Sequence, residues 1–147
     1  MGEHDEQSIR VILFSGKKQD WSAWEERFLA KARRKGFKNL LLGKEDIPES
    51  DEIFDEDTAE GKAEQKIVDL NDMAYSELIL SMDIKKPGGL VAFGIVKGSK
   101  SREYLDGNCA VAWTRLKNKY APKTAPSMVK PEREFRSSKL KKGTDPG

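Results

Sequence analysis

Residues 20–37 read DWSAWEERFLAKARRKGF. Trp21, Trp24, Phe28 and Ala32 recur every three or four positions, the spacing that places side chains on one face of an α-helix. Two of the chain's three tryptophans lie on this stripe, beside a dense basic run. Asp20 or Ser22 can cap the helix by accepting from its first free N–H groups. Glu25 and Glu26 suit the positive end of the helix dipole; Lys31, Arg33, Arg34 and Lys35 suit the negative end. Gly36 then stops the helix. This register turns both indoles inward, as core, and leaves the cations on the other side and at the end.

Working toward the N-terminus, VILFSG (11–16) is a short apolar run closing in a turn, preceded by a polar lead over residues 1–10. Toward the C-terminus, FKNLLLG (37–43) gives a brief second helical segment closed by Gly43. From Glu45 to Asp57 there are eight acids and no base. Such a block repels itself and reads as an exposed loop, with Ile53 and Phe54 expected to pin it to the core. Residues 60–82 have the strongest helical pattern: Ala63, Ile67, Leu70, Ala74, Leu78 and Met82, widened by Val68, Tyr75 and Ile79. KKPGG breaks it.

LVAFGIVKGSK reads as a helix among helices, and SREYLDGN as a loop. Asn108 is placed to cap CAVAWTRLKNKY, whose Cys109, Trp113, Leu116 and Tyr120 share a side; Ala121-Pro122 ends it. APKTAPS is a linker, and 127–142 reads as a last helix bearing Met128, Phe135 and Leu140, with Pro131 in its first turn. The expectation is an all-α domain with helices near 20–35, 60–82, 89–97, 108–120 and 128–141. Its division is a lead over 1–10, a helical core over 11–120, and a linker with a basic helix or tail over 121–147. Trp21, Trp24, Phe28, Tyr75, Leu78, Trp113 and Tyr120 are the expected shared core.

A chain of 147 residues fits one domain. Charged residues make up 35% of it, above the ~25% of an ordinary domain, so the core must be economical and the surface heavily solvated. The net charge of +2 conceals segregation, because from Lys123 onward seven basic residues face three acids. Cys109 and His4 are the only residues of their kinds. An internal disulfide is therefore excluded, as is a zinc site needing about four Cys or His ligands. A lone cysteine fits a reducing, cytoplasmic setting. The charged start MGEHDEQSIR leads us to expect no signal peptide, and Glu6 stands where myristoylation wants Ser or Thr. No apolar stretch approaches the ~18 residues of a membrane span.

Catalytic patterns are near misses. In GGLVAFGIVKGSKS, Gly89 and Gly94 have phosphate-loop spacing, but Ile95 stands where Lys is needed. Cys109 has no histidine partner for a nucleophilic dyad except His4 in the lead, and reads as a core residue. The acidic block lacks the ligand spacing and glycine of a calcium loop. We expect no catalytic residue, cofactor, metal or small-molecule substrate. Two basic clusters remain: Arg33, Arg34, Lys35 and Lys38, and then Lys139, Lys141 and Lys142. Phosphate recognition needs such a positive surface, which makes these candidate RNA contacts. Solvated helix ends would account for the same residues without a ligand.

The order of the pieces is more specific than any one of them. It runs FSG, W..W..RF, GF..LL.G, an acidic loop, N..AY..L.LS, then AW..L..KY.PKTAP and EF..SKLKKGTDP. The residues involved are Phe14, Gly16, Trp21, Trp24, Phe28, Gly36, Leu41, Gly43, Asn71, Ala74, Tyr75, Leu78, Ser81, Ala112, Trp113, Leu116, Tyr120, Pro122, Phe135, Lys139 and Leu140. Over about residues 11–145 this order resembles the N-terminal part of the capsid-like region of the Gag polyprotein of copia-type LTR retrotransposons. The resemblance implies an all-helical capsid-like fold, self-association into virus-like particles, packaging of RNA and no catalytic residues. Such Gags usually continue into further capsid helices and often a Cys-Cys-His-Cys zinc knuckle, whereas this sequence ends at KKGTDPG with a single cysteine. Pro131 also sits where the family's helix usually runs on. The alternative is a decayed or host-used Gag-derived domain that acts as a monomeric helical module for a protein partner.

Overall fold

The computed structural model describes residues 12–123. The expected last helix over 128–141, the lead over 1–10, and Lys139, Lys141 and Lys142 lie outside the described residues. The described chain is all-helical: α1 (Lys18–Lys35), α2 (Lys38–Leu41), α3 (Ala59–Leu80), α4 (Pro87–Lys97) and α5 (Cys109–Tyr120). Its only extended pairing is an isolated parallel bridge between Phe14 and Met82.

Helix α1 begins before the expected caps. Lys17 is the N-cap and offers no side-chain bond. Asp20 instead sits inside the first turn, where its carboxylate accepts from the Ser15 hydroxyl at 2.6 Å. Ser15 Oγ in turn accepts from the Lys17 N–H at 3.1 Å. The local brace therefore precedes the helix, and Glu25 and Glu26 fall in a later turn than expected. The far end follows the sequence: Gly36 takes a left-handed φ of 91° and donates its N–H to the Ala32 carbonyl.

The stripe of α1 is buried as its periodicity requires, with Trp21, Trp24, Phe28 and Ala32 all inside. Its rings meet Trp113 of α5 at centroid distances of 5.5 Å (Trp21), 5.8 Å (Trp24) and 5.7 Å (Phe28). Phe14 closes this aromatic cluster, 4.9 Å from Tyr120 and 5.1 Å from Trp24. It is held there by backbone bonds, donating to the Ser81 carbonyl at 2.7 Å and accepting from Asp83 N–H at 3.0 Å. The Trp24 indole N–H reaches the Ile12 carbonyl at 3.0 Å. The run ILFSG (12–16) thus acts as a strap across the helices rather than as a strand of a sheet. Aromatic pairs of this geometry add about 0.5–1.5 kcal/mol beyond the area they bury.

Helix α3 is capped by Thr58, whose hydroxyl accepts from Gly61 N–H at 2.9 Å. Its second half is core: Asn71, Ala74, Tyr75 and Leu78 are buried. Its first half stands away from the core, so Ala63 is exposed and Ile67 and Leu70 are only partly buried. Met82 is buried beyond the end of the helix, in the bridge with Phe14. Pro87, expected only to break α3, occupies the first turn of α4, where its missing N–H costs nothing. Helix α5 is capped by Asn108 as expected, its Oδ1 accepting from Ala110 N–H (2.9 Å) and Val111 N–H (3.1 Å).

Candidate functional site

The first candidate surface lies where α1 ends and α2 begins. Arg33, Arg34 and Lys35 are exposed and Lys38 is half-buried. Three of these cations cluster in the last turn of α1, where the free carbonyls favour positive charge. Lys35 is partly committed, its ammonium 3.4 Å from Glu77 of α3. Glu77 also accepts from Lys31 at 3.0 Å. Partial burial alone would raise the Glu77 carboxyl, but the Lys31 hydrogen bond and the charges of Lys31 and Lys35 outweigh it and hold it below its ordinary value. The sequence cluster therefore divides. Lys35 helps fasten α1 to α3, while Arg33 and Arg34 make no ion pair among the described residues and present their guanidinium groups to solvent.

A second surface was not legible in the sequence. The acidic block does not float. Ile47, 8% exposed, is its anchor, whereas Ile53 is 96% exposed and pins nothing; Phe54 is half-buried. The Tyr104 hydroxyl donates to the Ile47 carbonyl at 2.9 Å. Ser50 N–H donates to the Glu103 carbonyl at 2.8 Å, and Leu105 N–H to Ser50 Oγ at 2.9 Å. Two loops more than fifty residues apart are thereby laced together.

Between these loops and the middle of α3 lies a cleft of about 370 Å³. Its apolar lining comes from Ile47, Phe54, Val68 and Tyr104, and its carboxylates from Glu49, Glu52, Glu56, Asp72 and Asp106, with no lysine or arginine. Burial, then the neighbouring charges of Asp106 and Asp69, push the Asp72 carboxyl up. Burial and nearby carboxylates, Glu49 foremost, push the Tyr104 phenol up as well. Both shifts have the sign of a locally negative field.

The back of this cleft is fixed by Asn71, a polar residue on the buried stripe of α3. Its Nδ2 donates to the Gly107 carbonyl at 3.0 Å and its Oδ1 accepts from Cys109 N–H at 2.9 Å. Asn71 belongs to the resemblance to Gag, but this bracket was not anticipated. The available signal was an amide interrupting an otherwise apolar face.

The remaining features are structural. Cys109 is buried, and burial pushes its thiol up to about 12, so it is not a nucleophile at neutral pH. Gly89 lies in the first turn of α4, where a Cβ would overlap the Asp83 carbonyl; close packing accounts for the glycine of the phosphate-loop near miss. No group of three or more His, Cys, Asp or Glu among the described residues is placed to hold a metal ion. No described helix is long and apolar enough to cross a membrane. Comparison with protein-family models, with curated proteins and with solved structures finds no match to this chain.

Proposed function

We propose that this chain is a non-enzymatic structural protein, a Gag-like capsid fragment that associates with itself into particles and contacts RNA through its basic clusters. The observation that supports this most is the joint use of the residues that resemble Gag. Phe14, Trp21, Trp24, Phe28, Asn71, Tyr75, Leu78, Trp113, Leu116 and Tyr120 come from four separate stretches, yet all are buried in one helical core. A core shared in this way frees the outer faces for association. The exposed guanidinium groups of Arg33 and Arg34, in no ion pair among the described residues, are suited to phosphate.

Two measurements test the two halves. Sedimentation of the concentrated protein should show oligomers or particles; monomers throughout would overturn the assembly half. Filter binding of single-stranded RNA should weaken with salt. Arg33→Glu/Arg34→Glu should lower the affinity and flatten the log–log salt slope by about 1.4, the share of two phosphate contacts. Affinity indifferent to salt and to this variant would overturn the RNA half. A second reading, a monomeric helical module for a protein partner, is favoured by the cleft between the acidic loop and α3. Monomers that capture a defined peptide there would support it.

A further inference from the structure

We propose that the cleft between the acidic loop and α3 is the docking site for the chain's own basic C-terminal segment, residues 123–142, folding back within the same molecule. The cleft asks for an occupant that is both cationic and apolar. Its lining joins Ile47, Phe54 and Tyr104 to exposed carboxylates such as Glu49, Glu52 and Glu56. Among the described residues none of these carboxylates is in an ion pair; the ion pairs there use Glu25 and Glu77. The segment 123–142 supplies seven basic residues against two acids, interleaved with Met128, Phe135 and Leu140. Charge and apolar content are therefore complementary on both sides.

Reach permits the contact. The described chain runs to Lys123, just past the C-terminal end of α5, and the cleft adjoins Gly107 at the helix's other end. Helix α5 has 12 residues, about 18 Å. The sixteen residue-to-residue steps from Lys123 to Lys139 can span up to about 55 Å when extended. A tethered segment also meets its site at an effective concentration of the order of millimolar, which favours its own cleft over a neighbour's. The inference does not depend on particle assembly. It meets the RNA reading only in sharing Lys139, Lys141 and Lys142, which cleft and polyanion would contest.

The test uses the full chain labelled with 15N and needs neither RNA nor particles, so its failure and theirs are read separately. Lys139→Glu/Lys141→Glu/Lys142→Glu should move the amide resonances of Gln65, Asn71, Tyr104 and Gly107 equally at all protein concentrations, leaving Gly36 in place. Raising the salt should move the native resonances toward the same positions, since exposed charges are screened. In a chain already carrying Glu49→Gln/Glu52→Gln/Glu56→Gln, all at exposed positions, the tail substitutions should no longer move them. Three results would each overturn the proposal: cleft resonances unmoved by the tail substitutions, a shift that grows with protein concentration, or a shift undiminished in the rim variant.

Discussion

The Asn71 carboxamide donates to the Gly107 carbonyl at 3.0 Å, joining the middle of α3 to the loop that feeds α5. The same side chain accepts from Cys109 N–H, so one amide satisfies two buried backbone groups. Asn71→Ala should leave both unsatisfied, each costing about 1–3 kcal/mol. The urea midpoint should fall with the slope unchanged. A midpoint equal to the native one would mean that the bracket contributes nothing to stability.

Gly107 should tolerate substitution worse than Gly36. Both hold left-handed backbone, at φ of 99° and 91°. A Cβ at Gly36 meets no atom within 4 Å, whereas one at Gly107 would overlap the Tyr75 ring. Gly36→Ala should cost only the backbone term, about 1–2 kcal/mol. Gly107→Ala should cost distinctly more. Equal losses in thermal melts would show that the ring yields freely.

Trp24→Ala and Trp113→Ala should each destabilise by about 3–5 kcal/mol, a large part of an ordinary domain's stability. Their rings are 5.8 Å apart and share Trp21 and Phe28 as neighbours. The double variant should therefore lose less than the sum, because the second truncation enlarges a cavity already opened. Strict additivity in a denaturation cycle would contradict this shared packing.

Acid should act through two carboxylates of opposite sign. Glu77 is held below its ordinary 4.5, so its contribution is present above that pH and is lost as pH falls through the folded-state value. Asp72 is raised above its ordinary 3.8, so its contribution is present below that pH and is lost as pH rises through the folded-state value. At neutral pH, Glu77→Gln should lower the unfolding free energy measured in urea by up to about 1 kcal/mol, and Asp72→Asn should raise it. Both differences should shrink in acid. Differences that stay constant with pH would assign these effects to packing instead.

The helices were legible where periodicity and a chemical stop coincide. Trp21, Trp24 and Phe28 set the face of α1, and Gly36 set its end. Asn108 announced α5 because an amide before a helical stripe has one evident use. The loops were not legible in this way. Ile47 rather than Ile53 became the anchor because Tyr104, 57 residues away, bonds to the Ile47 carbonyl. No local pattern encodes such a partner. The start of α1 was misplaced because the Ser15–Asp20 bond competes with capping, and both uses draw on the same residue types. In the basic cluster, sequence counted Lys35 with Arg33 and Arg34, but only tertiary packing brings Glu77 within reach of Lys35.

Cys109 has one further consequence. It is the chain's only thiol, it opens α5, and its own N–H is held by Asn71. Folded and buried, it offers almost no thiolate to a reagent. Each labelling event must then follow an excursion in which the junction of α3 and α5 comes apart. The chain thus contains a single-position counter of its own breathing. Under conditions where reclosing is faster than labelling, the rate of thiol modification measures the free energy of that opening directly.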